Sequence, residues 1–129
     1  MKIEVLPKIQ RDLWKTLSEV KEIEPFYLAG GTAMALHLEH RESIDFDFFR
    51  TDAFKSESIV RALSKTGTIK IENQTEDTLV AYVSDVKISC FAYPYPLIAP
   101  LHRCDGISVA DLKDIVAMKI VAIAQRGVK

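Results

Sequence analysis

The sequence is poor in the residues that mark several protein classes. It has only two cysteines, Cys90 and Cys104, and neither belongs to a Cys-x-x-Cys pair. That excludes a disulfide scaffold and a thiolate zinc ribbon, and leaves two free core thiols in a reducing, cytoplasmic compartment as the expectation. No apolar run reaches the roughly 18 residues of a membrane span. Met1-Lys2-Ile3-Glu4 lacks the basic-then-apolar order of a signal peptide, so no membrane partner is expected. Neither sign of charge dominates: 17 basic and 18 acidic side chains leave a net charge of −1. Composition therefore demands no polyanionic partner, although a local basic patch stays possible. Low-complexity stretches, internal repeats and linkers are missing too.

What is present fits one globular domain over residues 1–129, with 48% hydrophobic and 27% charged residues. Pro7 suits the first turn of a helix. Ile9, Leu13, Leu17 and Val20 recur behind it at helical spacing, flanked by Trp14, and predict a surface helix ending near Pro25. Phe26 to Ala29 reads as a short strand stopped by Gly30-Gly31. Thr32 is a candidate cap for a helix from Ala33 to about His40. Asp45 to Phe49 reads as a second strand, and a helix follows from about Lys55 to Lys65. Strand-like runs cover 68–72, 79–83 and 86–91, joined by turns at 73–77 and Ser84-Asp85. Tyr93-Pro94-Tyr95-Pro96 interrupts further pairing. Asp111 and Asp114 resemble a capping pair for a last helix running to about Arg126. This order predicts an α/β or α+β domain, a sheet with helices packed on it.

Three features converge on one chemistry. Gly30-Gly31-Thr32 sits between a strand and a helix, where glycines allow a close backbone approach and free N–H groups suit a phosphate. An ordinary strand-to-helix turn accounts for the glycines equally well. In Asp45-Phe46-Asp47, alternation on a strand puts both carboxylates on one face and Phe46 and Phe48 on the other, toward the core. Two carboxylates about 6 Å apart repel by about 3 kcal/mol at an effective dielectric near 20. A divalent cation relieves that repulsion, and Mg²⁺ suits carboxylate and phosphate oxygens. A solvated strand edge is the plainer alternative. Lys119 has Ile115, Val116, Ala122 and Ile123 at helical neighbour positions. Its ammonium either snorkels to solvent or reaches a phosphate, with Arg126 on the same side. His37 and His40, at i and i+3, allow metal ligation but read more simply as surface or packing residues.

Phe26 to Leu36, with its Ala29-Gly30-Gly31-Thr32, followed by Arg41-Glu42-Ser43-Ile44-Asp45-Phe46-Asp47-Phe48-Phe49, resembles the AbiEii/AbiGii toxin family of nucleotidyltransferases, within the polymerase-beta-like superfamily. Twelve residues separate Thr32 from Asp45, as that superfamily's glycine-to-Asp-x-Asp signature requires. The likeness continues through Tyr93 to Leu97 and Leu112 to Lys119. It implies a polymerase-beta-like fold, a mixed sheet flanked by helices. It also implies that Gly30, Gly31 and Thr32 cradle a nucleoside triphosphate, that Asp45 and Asp47 hold Mg²⁺, that Ser43 supplies a hydroxyl near the site, and that Lys119 and Arg41 contact the nucleotide. The implied reaction transfers a nucleoside monophosphate to an acceptor, transfer RNA or protein, with release of pyrophosphate. A DNA-binding antitoxin is the implied partner.

Two departures from the family pattern stand out. Ser89 occupies the place of a third acid on a later strand. The family's further carboxy-terminal helices, which follow Arg126-Gly127, are expected to be missing. These departures keep open a nucleotide- or protein-binding module without turnover, and, within the same superfamily, a small-molecule phosphotransferase.

Overall fold

The computed structural model describes residues 1–40 and 45–127. Its helices are α1 (Lys8–Ser18), α2 (Gly30–Leu38), α3 (Ser56–Ser64) and α4 (Leu112–Gly127). Its strands are β1 (Tyr27–Ala29), β2 (Phe46–Arg50), β3 (Ile69–Thr75), β4 (Thr78–Val83), β5 (Val86–Ala92), β6 (His102–Cys104) and β7 (Ile107–Val109). They form one mixed sheet in the order β3-β4-β5-β2-β1-β7-β6. β2 lies at its centre, antiparallel to β1 and parallel to β5. The α/β reading with a mixed sheet flanked by helices holds.

Alternation along β2 decides what faces the core. Phe46 and Phe48 are fully buried, whereas Asp47 and Phe49 on the opposite face are half-buried. Trp14 of α1 meets Phe46 edge-on at 6.0 Å, and Phe26 meets Phe48 in the same way at 6.5 Å. In register with these, Ile88 and Cys90 of β5 and Leu79 and Ala81 of β4 extend the core under α3. Cys90 and Cys104 are free and buried, and burial pushes the Cys90 thiol up to about 12.

Several elements differ from the sequence expectation. α1 stops at Ser18, and a 3-10 turn at Lys21–Ile23 follows it. Its buried stripe is Gln10, Leu13, Trp14 and Leu17, while Ile9 stays about half exposed at 49%. Trp14 is central because its indole N–H bridges the carbonyls of Cys104 and Asp105, both at 3.2 Å. β2 begins one residue late, so Asp45 precedes the strand. α2 begins at Gly30, and Thr32 lies inside its first turn without capping it. The β6–β7 hairpin, absent from the sequence expectation, turns at Asp105-Gly106, both at positive φ. That pair is the type I′ signature of a two-residue hairpin.

Candidate active site

Gly30 fixes the local geometry. Its φ is +69°, and a Cβ there would collide with the Asp47 carboxylate. The register Ala29↔Asp47 brings that carboxylate over the glycine. A residue free of a side chain therefore lets an acidic group sit against the start of a helix, where unpaired N–H groups favour negative charge.

The hydroxyl of Thr32, fully buried, donates to the carbonyl of Asp45 at 2.7 Å. This bond ties the first turn of α2 to the entry of β2, so Thr32 positions the acidic segment. Asp45 is exposed, and Asp47 is half-buried. Burial first, and the Asp45 charge second, raise the Asp47 carboxyl to about 6, while Lys87 of β5 opposes the shift. A half-buried acid whose ionisation a neighbouring carboxylate disfavours is a suitable seat for a cation.

A cleft of about 360 Å³ opens on the Asp47 face of the sheet, between α2, β2 and α4. It brings Gly30, Gly31, Asp47 and Lys119 together. Lys119 is exposed, with Ile115, Ala122 and Ile123 lining the cleft around it, so its ammonium comes from an otherwise apolar helix face. Neither Asp45 nor Thr32 lines the cleft wall; each adjoins it through Asp47 or through the Thr32–Asp45 bond. Arg41 and Ser43 fall within 41–44, outside the described residues, and so does the side chain of Arg126. Ser89 is buried and is the parallel-register neighbour of Asp47. A hydroxyl and not a carboxylate therefore sits beside Asp47 on the neighbouring strand.

Among the described residues, no group of three or more His, Cys, Asp or Glu side chains is arranged to hold a metal ion. Two carboxylates still fit Mg²⁺, which keeps several waters and takes its remaining ligands from substrate phosphates. His37 packs: its Nε2 donates to the Ala110 carbonyl at 2.7 Å, and its ring meets His102 edge-on at 5.1 Å. Of the expected capping pair, Asp111 does cap α4, accepting from Lys113 N at 3.0 Å. Asp114 instead turns to the preceding loop and accepts from Ile98 N at 2.6 Å and Ala99 N at 3.0 Å. Sequence reading missed Lys87, Met34, Phe49 and Met118 near the site. Phe49 was legible in principle, two residues beyond Asp47 on the same face, and Met118 adjoins Lys119.

A glycine-led helix, a central strand carrying the acids and a lysine from a last helix define a nucleotidyltransferase-type domain. A model of the nucleotidyl transferase AbiEii toxin family, type IV toxin–antitoxin system, matches residues 11–129. The chain belongs to that family. The protein aq_aa25 of Aquifex aeolicus (strain VF5) is 43% identical over 128 residues, covering 96% of this chain and 62% of its own length. The crystal structure of JHP933 from Helicobacter pylori superposes with a TM-score of 0.57 at 21% identity, over 88% of this chain and 53% of that one. A second H. pylori crystal structure gives 0.53 at 21% identity, over 88% of this chain and 55% of its own. These two similarities concern the fold. The chain thus spans just over half to three-fifths of the length of these relatives. Among the described residues, no helix is long and apolar enough to cross a membrane.

Proposed function

We propose that this chain carries the catalytic core of a Mg²⁺-dependent nucleotidyltransferase of toxin type. The observation that carries the reading is the meeting of Gly30, Gly31, Asp47 and Lys119 in one cleft, with Asp45 beside Asp47. In this reading the amides at the start of α2 bind triphosphate oxygens, and Lys119 adds a point charge to them. Asp45 and Asp47 hold Mg²⁺, which supplies charge neutralisation at the phosphates when bound. Thr32 keeps Asp45 in place, and Gly31, Arg41 and Ser43 complete the phosphate side. An acceptor hydroxyl oxygen bonds to the α-phosphorus, the α–β P–O bond breaks, pyrophosphate leaves with the bonding electrons, and the hydroxyl proton passes to solvent. Transfer RNA or a protein is the acceptor class, and a DNA-binding antitoxin is the partner of the whole protein.

Calorimetric titration of the four nucleoside triphosphates, with and without Mg²⁺, tests the nucleotide site. The expected result is Mg²⁺-dependent binding that Asp45→Asn/Asp47→Asn abolishes. Undiminished binding by the double variant would sink the site assignment. Release of pyrophosphate, with label entering RNA or protein, tests transfer itself. One observation favours a second reading, a nucleotide-binding module without turnover: Ser89 stands beside Asp47 in place of a third acid. Robust label incorporation eliminates it.

A further inference from the structure

The strands β3, β4 and β5 turn one face to α3 and the other to the side of the sheet that carries Asp47. Leu79, Ala81, Val83 and Ile88 fill the α3 side and are buried. Residues that alternate with them point the other way. Tyr82 of β4 and Lys87 of β5 are two of these, both half-buried and directly opposite each other. Lys70 of the edge strand β3 is exposed and directly opposite Tyr82. Lys70, Tyr82 and Lys87 thus form a row across three strands, about 10 Å from the first strand to the last. The row ends at the acids. Ile88 pairs with Phe46, which brings Lys87 level with Asp45, and the Lys87 charge acts on the Asp47 carboxyl from that side.

Two lysines therefore flank Asp47 from opposite sides. Lys119 shares the cleft with Gly30 and Gly31, where β1 adjoins β2. Lys87 stands on β5, along the other edge of β2. In the nucleotide reading the triphosphate takes the glycine side, which leaves the β5 side to the second reactant. A separate hollow of about 520 Å³ continues the row outward, lined by Thr68, Lys70, Tyr82, Ser84 and Asp85. The acids of this region are Glu72, which meets Lys87 at 3.6 Å, and Asp85 at the β4–β5 turn. The Glu72–Lys87 pair is solvent-exposed, so it is a weak contact that a phosphate can replace. Lys70 has no ion-pair partner among the described residues. Cations set at intervals on one face match a chain of phosphates, whereas a protein hydroxyl brings no such charge with it.

We infer that Lys87 and Lys70 hold the phosphate backbone of a polynucleotide acceptor on the β3–β5 side of the site, with its terminal hydroxyl directed to Asp45 and Asp47. The acceptor role rests on the nucleotide reading above, while the binding surface is tested without any turnover. A short fluorescein-labelled single-stranded RNA is titrated by anisotropy at several salt concentrations, and a nucleoside triphosphate with Mg²⁺ by calorimetry. Three exposed or half-exposed side chains are varied: Lys87→Gln, Lys70→Gln and Glu72→Gln. Each lysine variant should weaken RNA binding by about 3- to 10-fold and make the dependence of log affinity on log salt shallower by about 0.7. Glu72→Gln frees Lys87 and should tighten RNA binding by about 2-fold, an effect opposite in sign to any general loss of structure. Triphosphate affinity should not fall in any of the three. RNA affinity indifferent to all three substitutions, or no RNA binding by the wild type, overturns the acceptor surface and leaves the triphosphate site standing. A loss of triphosphate affinity in Lys87→Gln overturns it too, because the lysine then belongs to the glycine-side reactant. RNA binding through both lysines in a wild type that binds no triphosphate overturns the nucleotide reading, and the acceptor role with it.

Discussion

At the scale of single residues, Gly30 and Asp47 make opposite demands on the same space. Gly30→Ala would meet two obstacles, the positive φ and the Asp47 carboxylate. The left-handed conformation alone costs a non-glycine residue about 1–2 kcal/mol. We expect a lower melting temperature and loss of Mg²⁺-dependent triphosphate binding, because relief of the clash must move the acid. Asp47 itself makes folding depend on pH. Its folded pKa of about 6 lies above the ordinary carboxylate value of 3.8, so the folded state binds the proton more tightly. Stability is therefore greatest below the unfolded value and declines as pH rises from about 4 through about 6. The loss is at most about 3 kcal/mol and is reduced by the part of the group that reaches solvent. Without Mg²⁺, Asp47→Asn should be more stable than wild type at pH 7–8 and equal to it near pH 4, as read by thermal denaturation in a chelator. Mg²⁺ affinity should rise across the same window, since the ion binds the carboxylate. A wild type insensitive to pH between 4 and 8 would contradict both expectations.

At the scale of elements, short-range chemistry was legible and long-range pairing was not. The Asp-x-Asp strand, the glycine turn and the last helix follow from alternation, glycine placement and helical spacing. The Ser84-Asp85 turn was legible as well, and both residues take positive φ between β4 and β5. The Asp105-Gly106 hairpin carries an equally strong turn signal, but its strands have three residues each and show too little alternation to register. Their place beside β1 comes from parallel pairing of Tyr27 and Leu28 with Ser108 and Val109, which no local pattern encodes. Asp114 shows the same limit: its sequence position says helix cap, whereas its partners are the amides of Ile98 and Ala99. Removing a buried acceptor that serves two amides costs on the order of 2–3 kcal/mol. Asp114→Ala should accordingly lower stability to urea by that amount and speed amide exchange at 98 and 99. Exchange there at the wild-type rate would show that the loop is held by other contacts.

At the scale of the whole molecule, the sole tryptophan joins segments 90 residues apart in the sequence. Trp14 links α1 to the β6–β7 turn by its indole N–H and to the central strand by its ring. Phenylalanine keeps much of the ring contact and loses the hydrogen bond, so Trp14→Phe should cost about 1–2 kcal/mol in a denaturation followed by circular dichroism. No change would mean that the two carbonyls are satisfied without the indole. Helix α4 shows a different feature at this scale. Ile120, Val121 and Ile123 are all exposed, at 60%, 43% and 59%, so its later turns are apolar on several sides at once. A helix apolar around much of its girth is the pattern of one buried in a larger assembly. The chain spans 62% of the length of its Aquifex relative.

The close fit of Asp47 over Gly30 also has a meaning in inheritance. As long as the acid is needed, the glycine has no single-step substitute, because every side chain must displace the carboxylate first. A lineage that gives up Asp47 frees position 30 from one of its two constraints, and larger residues can then accumulate there. A side chain at position 30 in a related chain is thus a sign that the acid beside it has moved or been lost, whereas a glycine there is compatible with either state.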